Sequence, residues 1–107
     1  MAANPMLSHS VFFTLKESTV ETQTKLVAAC KQLLCSHPGT VFYASGEMAE
    51  DFDRPVNDRD YDVALHVVFE NRAYHDQYQQ SASHQQFIAE NKDNWKQVRV
   101  FDAYVQP

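Results

Sequence analysis

The sequence predicts an α+β fold with the element order βαββαβ, and three observations support this prediction. Four segments carry either alternating apolar and polar residues or a concentration of β-branched and aromatic residues, as strands do. Two other segments place apolar residues at helical spacing behind capping signals. With right-handed connections, this order folds into a four-stranded antiparallel sheet with both helices on one face.

The first strand and the first helix have distinct signals. Residues 7–15 alternate as a strand does, and the row expected to face the helices contains Leu7, His9, Val11, Phe13 and Leu15. Ser18, followed three residues later by Glu21, has the capping-box pattern. We therefore expect a helix from about Thr19 to Ser36, ended by the His-Pro-Gly sequence at 37–39.

The middle of the chain predicts two further strands. Residues 40–48 are rich in β-branched and aromatic side chains, and residues 61–70 alternate again. The row of the third strand expected to face the helices contains Tyr61, Val63, Leu65, Val67 and Phe69. The opposite, open face would carry Phe12, Ala64, His66 and Val68.

That open face is too apolar to be left wholly in water and too mixed to form a core. Packing it against a second copy across a two-fold axis would bury it, and about 1,600 Å² of total area is the usual scale of a stable interface. We therefore expect a homodimer whose two sheets face each other as a barrel.

The second helical region is expected to be broken in two. Asn71 can cap a short helix, while Ser83 with Gln86 forms a second capping-box pattern. The helix that starts there would carry Phe87, Ile88, Asn91 and Trp95. Residues 97–105 then predict the last strand.

Composition limits the chain to one domain and disfavours some partners. A chain of 107 residues with 44% hydrophobic residues has the size of one domain with one core, which we assign to residues 1–107. The formal charge of −5 disfavours nucleic acid, because binding to phosphate backbones depends on clustered lysine and arginine. We therefore expect no nucleic-acid partner.

The predicted location is cytoplasmic, without a membrane partner. No apolar run approaches the roughly 20 residues that cross a bilayer, and the first ten residues lack the basic start and apolar stretch of a signal peptide. Cys30 and Cys35 lie five residues apart on the predicted helix, so their side chains diverge and do not readily form a disulfide. We expect small buried or half-buried thiols in a reducing compartment.

The segment YQQSASHQQF at 78–87 contains the candidate site residues Tyr78 and His84. In an unbroken helix their side chains would point about 120° apart. A break at residues 81–83 would change this and place His84 in the first turn of a new helix. The positive end of that helix favours neutral imidazole, which is the form that a general base requires. His9 belongs to the helix-facing row, so all three could line one pocket between sheet and helices.

Other chemistries find no support in the sequence. His66 and His75 lack a set of metal ligands with recognisable spacing, and the acidic residues 47–62 do not follow the order of a calcium loop. The third strand lacks the glycine and basic residues of an RNA-recognition sheet. The two glycines do not build a nucleotide loop, and no nucleophile elbow is present. We expect neither a metal nor a cofactor.

Four segments together resemble the stress-responsive dimeric α+β barrel family, often called Dabb. They are LSHSVFF, YDVALHVVFE, YQQSASHQQF and WKQVRVFDAY, and the resemblance extends from about Ser8 to Tyr104. It implies a ferredoxin-like α+β fold and a face-to-face dimer, in agreement with the prediction from the residues themselves.

One branch of that family, the plant olivetolic acid cyclases, is similar to this chain in the segment 78–87. There a histidine acts as the base of a polyketide cyclisation and a tyrosine is its polar partner, which the resemblance places at His84 and Tyr78. His9 matches another pocket histidine. A further pocket histidine of the branch corresponds to Val63, so one polar group of that pocket is absent here.

Two functions from different classes remain open. The first is a dimeric barrel protein that binds a small, partly apolar molecule at His9, Tyr78 and His84. A catalytic form of this hypothesis adds proton transfer of the cyclase or isomerase kind. In that chemistry His84 is the base, Tyr78 binds the carbonyl or enolate oxygen, and His9 orients. The alternative is a non-catalytic structural or protein-interaction dimer without a small-molecule site. A ligand-sized cavity of about 300 Å³ or more between the three residues favours the first.

Overall fold

The computed structural model describes residues 5–107 and confirms the α+β order. The strands are β1 (Met6–Leu15), β2 (Thr40–Glu47), β3 (Val63–Phe69) and β4 (Trp95–Val105). The helices are α1 (Val20–Leu34), α2 (Arg72–Gln80) and α3 (Ala82–Asn91), and a 3₁₀ turn at Lys92–Asn94 joins α3 to β4. Residues 1–4, which the sequence assigns to the same domain, lie outside the described residues.

The four strands form one antiparallel sheet in the order β2-β3-β1-β4. The two central strands, β1 and β3, are the most apolar, and alternate residues of each are buried against the helices. The register sets His9 opposite Val67 of β3 on one side and opposite Asp102 of β4 on the other. A histidine and an acid from two distant parts of the chain therefore become neighbours.

The core lies between the sheet and the helices. Its aliphatic and aromatic members are Val11, Phe13, Leu15, Leu26, Leu34, Val63, Leu65, Val67, Phe69, Tyr78 and Phe87. His9 belongs to the same row of β1 and is only 4% exposed. Burial of this apolar surface is the main stabilising contribution to the fold, at about 25 cal/mol for each Å² removed from water.

The N-cap of α1 lies one residue later in the chain than predicted. Thr19 is the N-cap: its hydroxyl accepts the backbone N–H of Thr22, and the Thr22 hydroxyl accepts the N–H of Thr19. Ser18 and Glu21 match the same sequence pattern, but the capping box forms one position further on. The helix ends at Leu34 instead of Ser36.

The predicted break between the second and third helices is confirmed. Ser81 has the extended backbone angles φ −67° and ψ 152°, so it ends α2 and caps α3. Its hydroxyl accepts the backbone N–H of His84 at 3.2 Å and donates to the carbonyl of Tyr78 at 2.8 Å. The N-cap is therefore Ser81 and not Ser83, because Ser83 already lies inside the first turn of α3.

Trp95 belongs to β4 and not to the preceding helix. The 3₁₀ turn closes the helical region, and Trp95 then pairs with Leu15 at the start of the strand. The carbonyl of Asn94 accepts the backbone N–H of Lys16 at 2.8 Å, which holds this corner against β1. The last strand therefore begins two residues earlier than predicted.

The open face of the sheet carries an aromatic cluster. Phe12 lies at its centre, with ring centroids 4.9 Å from Tyr61, 5.6 Å from Phe101 and 5.9 Å from His66. Tyr61 was expected on the helix-facing row, but it precedes β3 and its ring turns to the open face. Phe101 remains 55% exposed in the single chain.

The acidic connection between β2 and β3 runs over the surface, as expected. One ion pair ties it to the open face: Arg99 donates to Asp58 at 2.8 Å. The later part of the connection therefore lies near the aromatic cluster, while residues 48–51 lie beside the start of α1. Within residues 5–107, none of the helices has the length and apolar character needed to span a bilayer.

Candidate functional site

His9 is held by Asp102 across the β1–β4 pair. The Nδ1–H of His9 donates to Oδ1 of Asp102 over 2.6 Å. Burial lowers the pKa of His9 below its ordinary 6.5, although the hydrogen bond to Asp102 and its charge act in the opposite direction. The pair is therefore a hydrogen bond between a neutral imidazole and a carboxylate. The Nε2 atom of His9 faces the side-chain amide of Gln79 at 3.5 Å.

Tyr78 and His84 lie in contact, as the broken helix predicts. Their ring centroids are 4.8 Å apart, and the planes meet at 67° in an edge-to-face arrangement. The ring of His9 also lies near Tyr78, with centroids 5.9 Å apart. The structure therefore brings together all three residues that the sequence singled out.

The Tyr78 hydroxyl is buried without a hydrogen-bond partner among residues 5–107. Burial raises the pKa of Tyr78, and the nearby Cys30 and Tyr43 raise it further. Since Cys30 belongs to α1 and Tyr43 to β2, the phenol oxygen points toward these two elements. The hydroxyl stays protonated at neutral pH and has both its donor and its acceptor capacity unused within the described chain.

A cavity of about 180 Å³ lies between the sheet and the helices at these residues. His9, Tyr78, Gln79 and His84 provide its polar groups. Its apolar walls include Val11, Phe13, Leu34, Leu65, Phe87, Ile88 and Trp95. Val98 and Val100 of β4 form a partly exposed rim, because no helix covers that edge of the sheet. The cavity is smaller than the pockets of about 300 Å³ or more that hold drug-sized ligands.

His84 is placed to remain neutral. It is the third residue of α3, at the positive end of the helix. Burial lowers the pKa of His84, and the positive charges that His9 and His75 would carry lower it further. Its Nδ1 atom is shut off from solvent and has no hydrogen-bond partner in the described part of the chain. The half-buried imidazole borders the cavity, and its other nitrogen, Nε2, can accept a proton from a molecule there while Nδ1 carries the ring proton.

The lowered pKa of His84 predicts a loss of stability in mild acid. The unfolded chain takes up a proton near pH 6.5, whereas the folded chain resists it, so the free energy of unfolding decreases as the pH falls from about 6.5 toward the folded pKa. His84→Gln should reduce this decrease, which urea unfolding at pH 7.5 and 5.5 would measure. Equal decreases in the variant and the wild type would contradict the prediction.

The fold adds three residues to this region that the sequence did not place there, although His75 was considered as a metal ligand. One is Asp102, which holds His9. The second is His75, whose ring centroid lies 4.9 Å from that of His9. The third is His37, whose ring lies 5.8 Å from that of Tyr78. A buried histidine directly opposite an acid in an antiparallel pair would have identified Asp102, but the register is not visible in the sequence.

Other reactive residues lie apart from this arrangement or are unreactive. Burial raises the pKa of Cys30 to about 12, so its thiol is not a nucleophile at neutral pH. Cys35 is a half-buried free thiol. His66 lies on the open face, where its Nδ1 is 3.0 Å from the Ser10 hydroxyl.

The antiparallel sheet, the helices on one face and the element order define a ferredoxin-like α+β protein. The mostly apolar cavity between sheet and helices, with its few polar groups, is the candidate site. The chain belongs to the family of the stress responsive A/B barrel domain, Dabb, whose model matches residues 7–105. The resemblance seen in the four sequence segments is confirmed. No curated protein matches the sequence.

Solved structures share this fold at low sequence identity. A Dabb family protein with a ferredoxin-like fold from Mesorhizobium loti is 18% identical, with a TM-score of 0.79 over 97% of this chain and 100% of that one. A dimeric ferredoxin-like protein of unknown function from Thermobifida fusca is 16% identical, with a TM-score of 0.78 over 95% and 92%. The hydroxynitrile lyase of Passiflora edulis is 17% identical, with a TM-score of 0.73 over 97% and 96%.

Proposed function

We propose that this protein is a cytoplasmic homodimer that binds a small carbonyl compound in the cavity and transfers a proton on it. The observation that carries the proposal is the contact between Tyr78 and His84 at the wall of a mostly apolar cavity. A buried phenol and a half-buried neutral imidazole, each with unused hydrogen-bonding capacity, are the groups that enolisation requires.

The proposed reaction begins with His84. The ring takes a proton from the carbon next to the carbonyl group and becomes imidazolium, while the C–H electron pair moves to the carbonyl oxygen. The Tyr78 hydroxyl lies toward α1 and β2, so the phenol ring must tilt into the cavity for the hydroxyl to donate a hydrogen bond to that oxygen, where negative charge develops. Return of the proton from His84 to the other face of that carbon completes an isomerisation. In an aldol-type cyclisation the enolate carbon attacks a second carbonyl carbon, and the alkoxide formed takes the proton from His84.

His9 has an orienting role in this scheme. Its Nδ1–H is committed to Asp102, so the ring is fixed and Nε2 is an acceptor. The rings of His9 and His84 both lie near Tyr78. Protonation of His84 next to a second cation would be costly, so a neutral His9 favours the proposed transfer.

The cavity volume limits the substrate. A water molecule occupies about 30 Å³ of liquid, so 180 Å³ accommodates a molecule of about six non-hydrogen atoms. A short aldehyde or a small cyclic ketone has this size. A long polyketide chain would have to extend past the rim formed by Val98 and Val100.

Exchange of carbon-bound hydrogen for deuterium tests the proposal without knowledge of the natural substrate. We expect the protein to accelerate the deuteration of butanal or cyclohexanone in D₂O, followed by proton NMR. His84→Gln should reduce the rate by about 10²-fold or more. Tyr78→Phe should also reduce the rate while preserving the fold, because removal of a buried hydroxyl without a partner costs little stability.

Gln86→Ala is a matched control, because Gln86 lies two residues after His84 on the exposed side of α3. Its exchange rate should equal that of the wild type. Exchange no faster than in buffer with both probes, or an unchanged rate in His84→Gln, would refute the proposed chemistry.

The proposed dimer uses the open face of the sheet. The aromatic cluster around Phe12 and the exposed ring of Phe101 form an apolar surface opposite the helices. Pairing this surface with its copy would remove it from water. Structural neighbours described as dimeric, such as the protein from Thermobifida fusca, support a homodimer.

A non-catalytic dimer is the second candidate. It is favoured by one observation: the cavity is smaller than about 300 Å³, the value expected of a ligand pocket. In that case the histidines and Tyr78 have only structural roles. The deuterium exchange experiment separates the two candidates, because a structural dimer leaves both probes at the buffer rate.

A further inference from the structure

We propose that His9, His75 and Asp102 form a binding site for a first-row divalent metal ion such as Zn²⁺. One ring nitrogen of each histidine and one carboxylate oxygen of Asp102 all lie within 4.8 Å of one another. The three residues come from β1, α2 and β4, so the site exists only in the folded chain. Two imidazoles and one carboxylate form a donor set that suits zinc and iron in proteins.

The environment of His75 supports this assignment independently. Its Nδ1–H donates to the carboxylate of Asp76 over 3.1 Å, so Nε2 carries the lone pair. That Nε2 atom is shut off from solvent and has no hydrogen-bond partner among residues 5–107. A histidine whose outer nitrogen is held by a carboxylate, with its other nitrogen free, has the arrangement typical of metal-bound histidines.

Coordination requires a small rearrangement at His9. Nδ1 and Asp102 Oδ1 are 2.6 Å apart, which is closer than two ligands of one zinc ion, so the two side chains must separate. The proton on Nδ1 must also leave. It can move through water to Nε2, where rotation of the Gln79 amide would offer an oxygen acceptor in place of the nitrogen now at 3.5 Å. The ring then stays neutral.

An entry route exists on the solvent side. Asp102 is 44% exposed at its side chain. A second cavity of about 190 Å³ is lined by His75, Asp76 and Asp102. Arg72 also borders this cavity, but its guanidinium lies 3.5 Å from Asp76, so its charge is partly balanced. A hydrated cation can therefore reach Asp102 from solvent, and the buried nitrogens of His9 and His75 become accessible when the hydrogen bond between His9 and Asp102 opens.

Titration of the complete, metal-free chain with ZnCl₂ tests the proposal through a competing chelator dye. We expect one saturable site per chain, with an affinity at least 10-fold weaker in His75→Gln and in Asp102→Asn. His66→Gln is the matched control, since His66 lies on the open face, and its affinity should equal that of the wild type. Circular dichroism and the thermal midpoint verify that each variant is folded.

Co²⁺ provides a second readout that does not depend on activity. The wild-type protein should give visible absorption bands of a nitrogen- and oxygen-ligated ion, and His75→Gln should lose them. Absence of saturable binding would overturn the assignment, as would equal Zn²⁺ affinity in His75→Gln and the wild type. This proposal does not rest on the proton-transfer function, because metal binding is read directly and deuterium exchange is measured on metal-free protein.

Discussion

Phe12→Asp should dissociate the proposed dimer, raising its dissociation constant roughly 10³-fold. Phe12 lies at the centre of the open-face cluster, and the two-fold axis would bring two copies of the new carboxylate into one apolar interface. Loss of a central aromatic residue costs about 2 kcal/mol or more in each copy, and about 4 kcal/mol corresponds to this factor. Sedimentation velocity over a concentration series would measure the change.

Val20→Asp is the matched control for added charge. Val20 is 84% exposed at the first position of α1, on the helix side of the molecule, where a carboxylate is favourable. This variant should have the same sedimentation behaviour as the wild type. A Phe12→Asp protein that stays dimeric would show that the open face is not the interface. A wild type that is monomeric at micromolar concentration would refute the dimer itself.

Gly39→Ala should lower the free energy of unfolding by about 3 kcal/mol or more, one of the largest effects expected for a single residue. Gly39 has φ +84°, a conformation that side chains rarely adopt. An added Cβ would lie only 2.1 Å from Cγ and 2.5 Å from Cβ of Tyr74. The start of α2 would therefore have to move away from the β2 strand. Urea unfolding would measure the loss.

Two further variants separate the causes of this loss. Gly46→Ala should change stability by less than about 0.5 kcal/mol, because its added Cβ meets nothing within 4 Å. Tyr74→Ala introduced into the Gly39→Ala protein should recover part of the loss, since the clash with the ring disappears while the close contact with the Cβ of residue 74 and the backbone strain remain. Strictly additive effects of the two substitutions would contradict the clash with Tyr74.

The sequence predicted the sheet well because its central strands have a strong pattern. Each alternate residue of β1 from Leu7 to Leu15 is buried, as the period of two requires. The prediction was wrong where the alternating pattern extends beyond the end of the strand. The alternation of β3 extends to Tyr61, but the strand begins at Val63, after Asp62 turns back to bond with Phe13 and Leu15.

Local signals fixed the location of the helix break but not its capping residue. Ser81 and Ser83 are both capable caps, as are Ser18 and Thr19. Short polar side chains one or two positions apart differ little in intrinsic preference. Packing of the helix against the sheet selects which of them has extended backbone angles, and that packing is not encoded in a window of a few residues.

The candidate site was only partly predictable for the same reason. Tyr78 and His84 are near in sequence, so one local break was enough to predict their contact. Asp102 lies 93 residues from its partner His9, and their pairing depends on the register between β1 and β4. The angle at which α2 crosses the sheet places His75 beside His9, and no sequence pattern specifies such an angle.

Ser81 bonds to the carbonyl of one candidate residue and to the amide of the other, so a single hydroxyl spans the pair. The spacing of the phenol and the imidazole is thus a property of one seven-residue segment and does not depend on long-range assembly. Substitutions in the surrounding walls could alter the size and polarity of the hollow while leaving the two groups at a fixed separation. This arrangement would allow the same pair of groups, at one fixed separation, to bind ligands of different shapes.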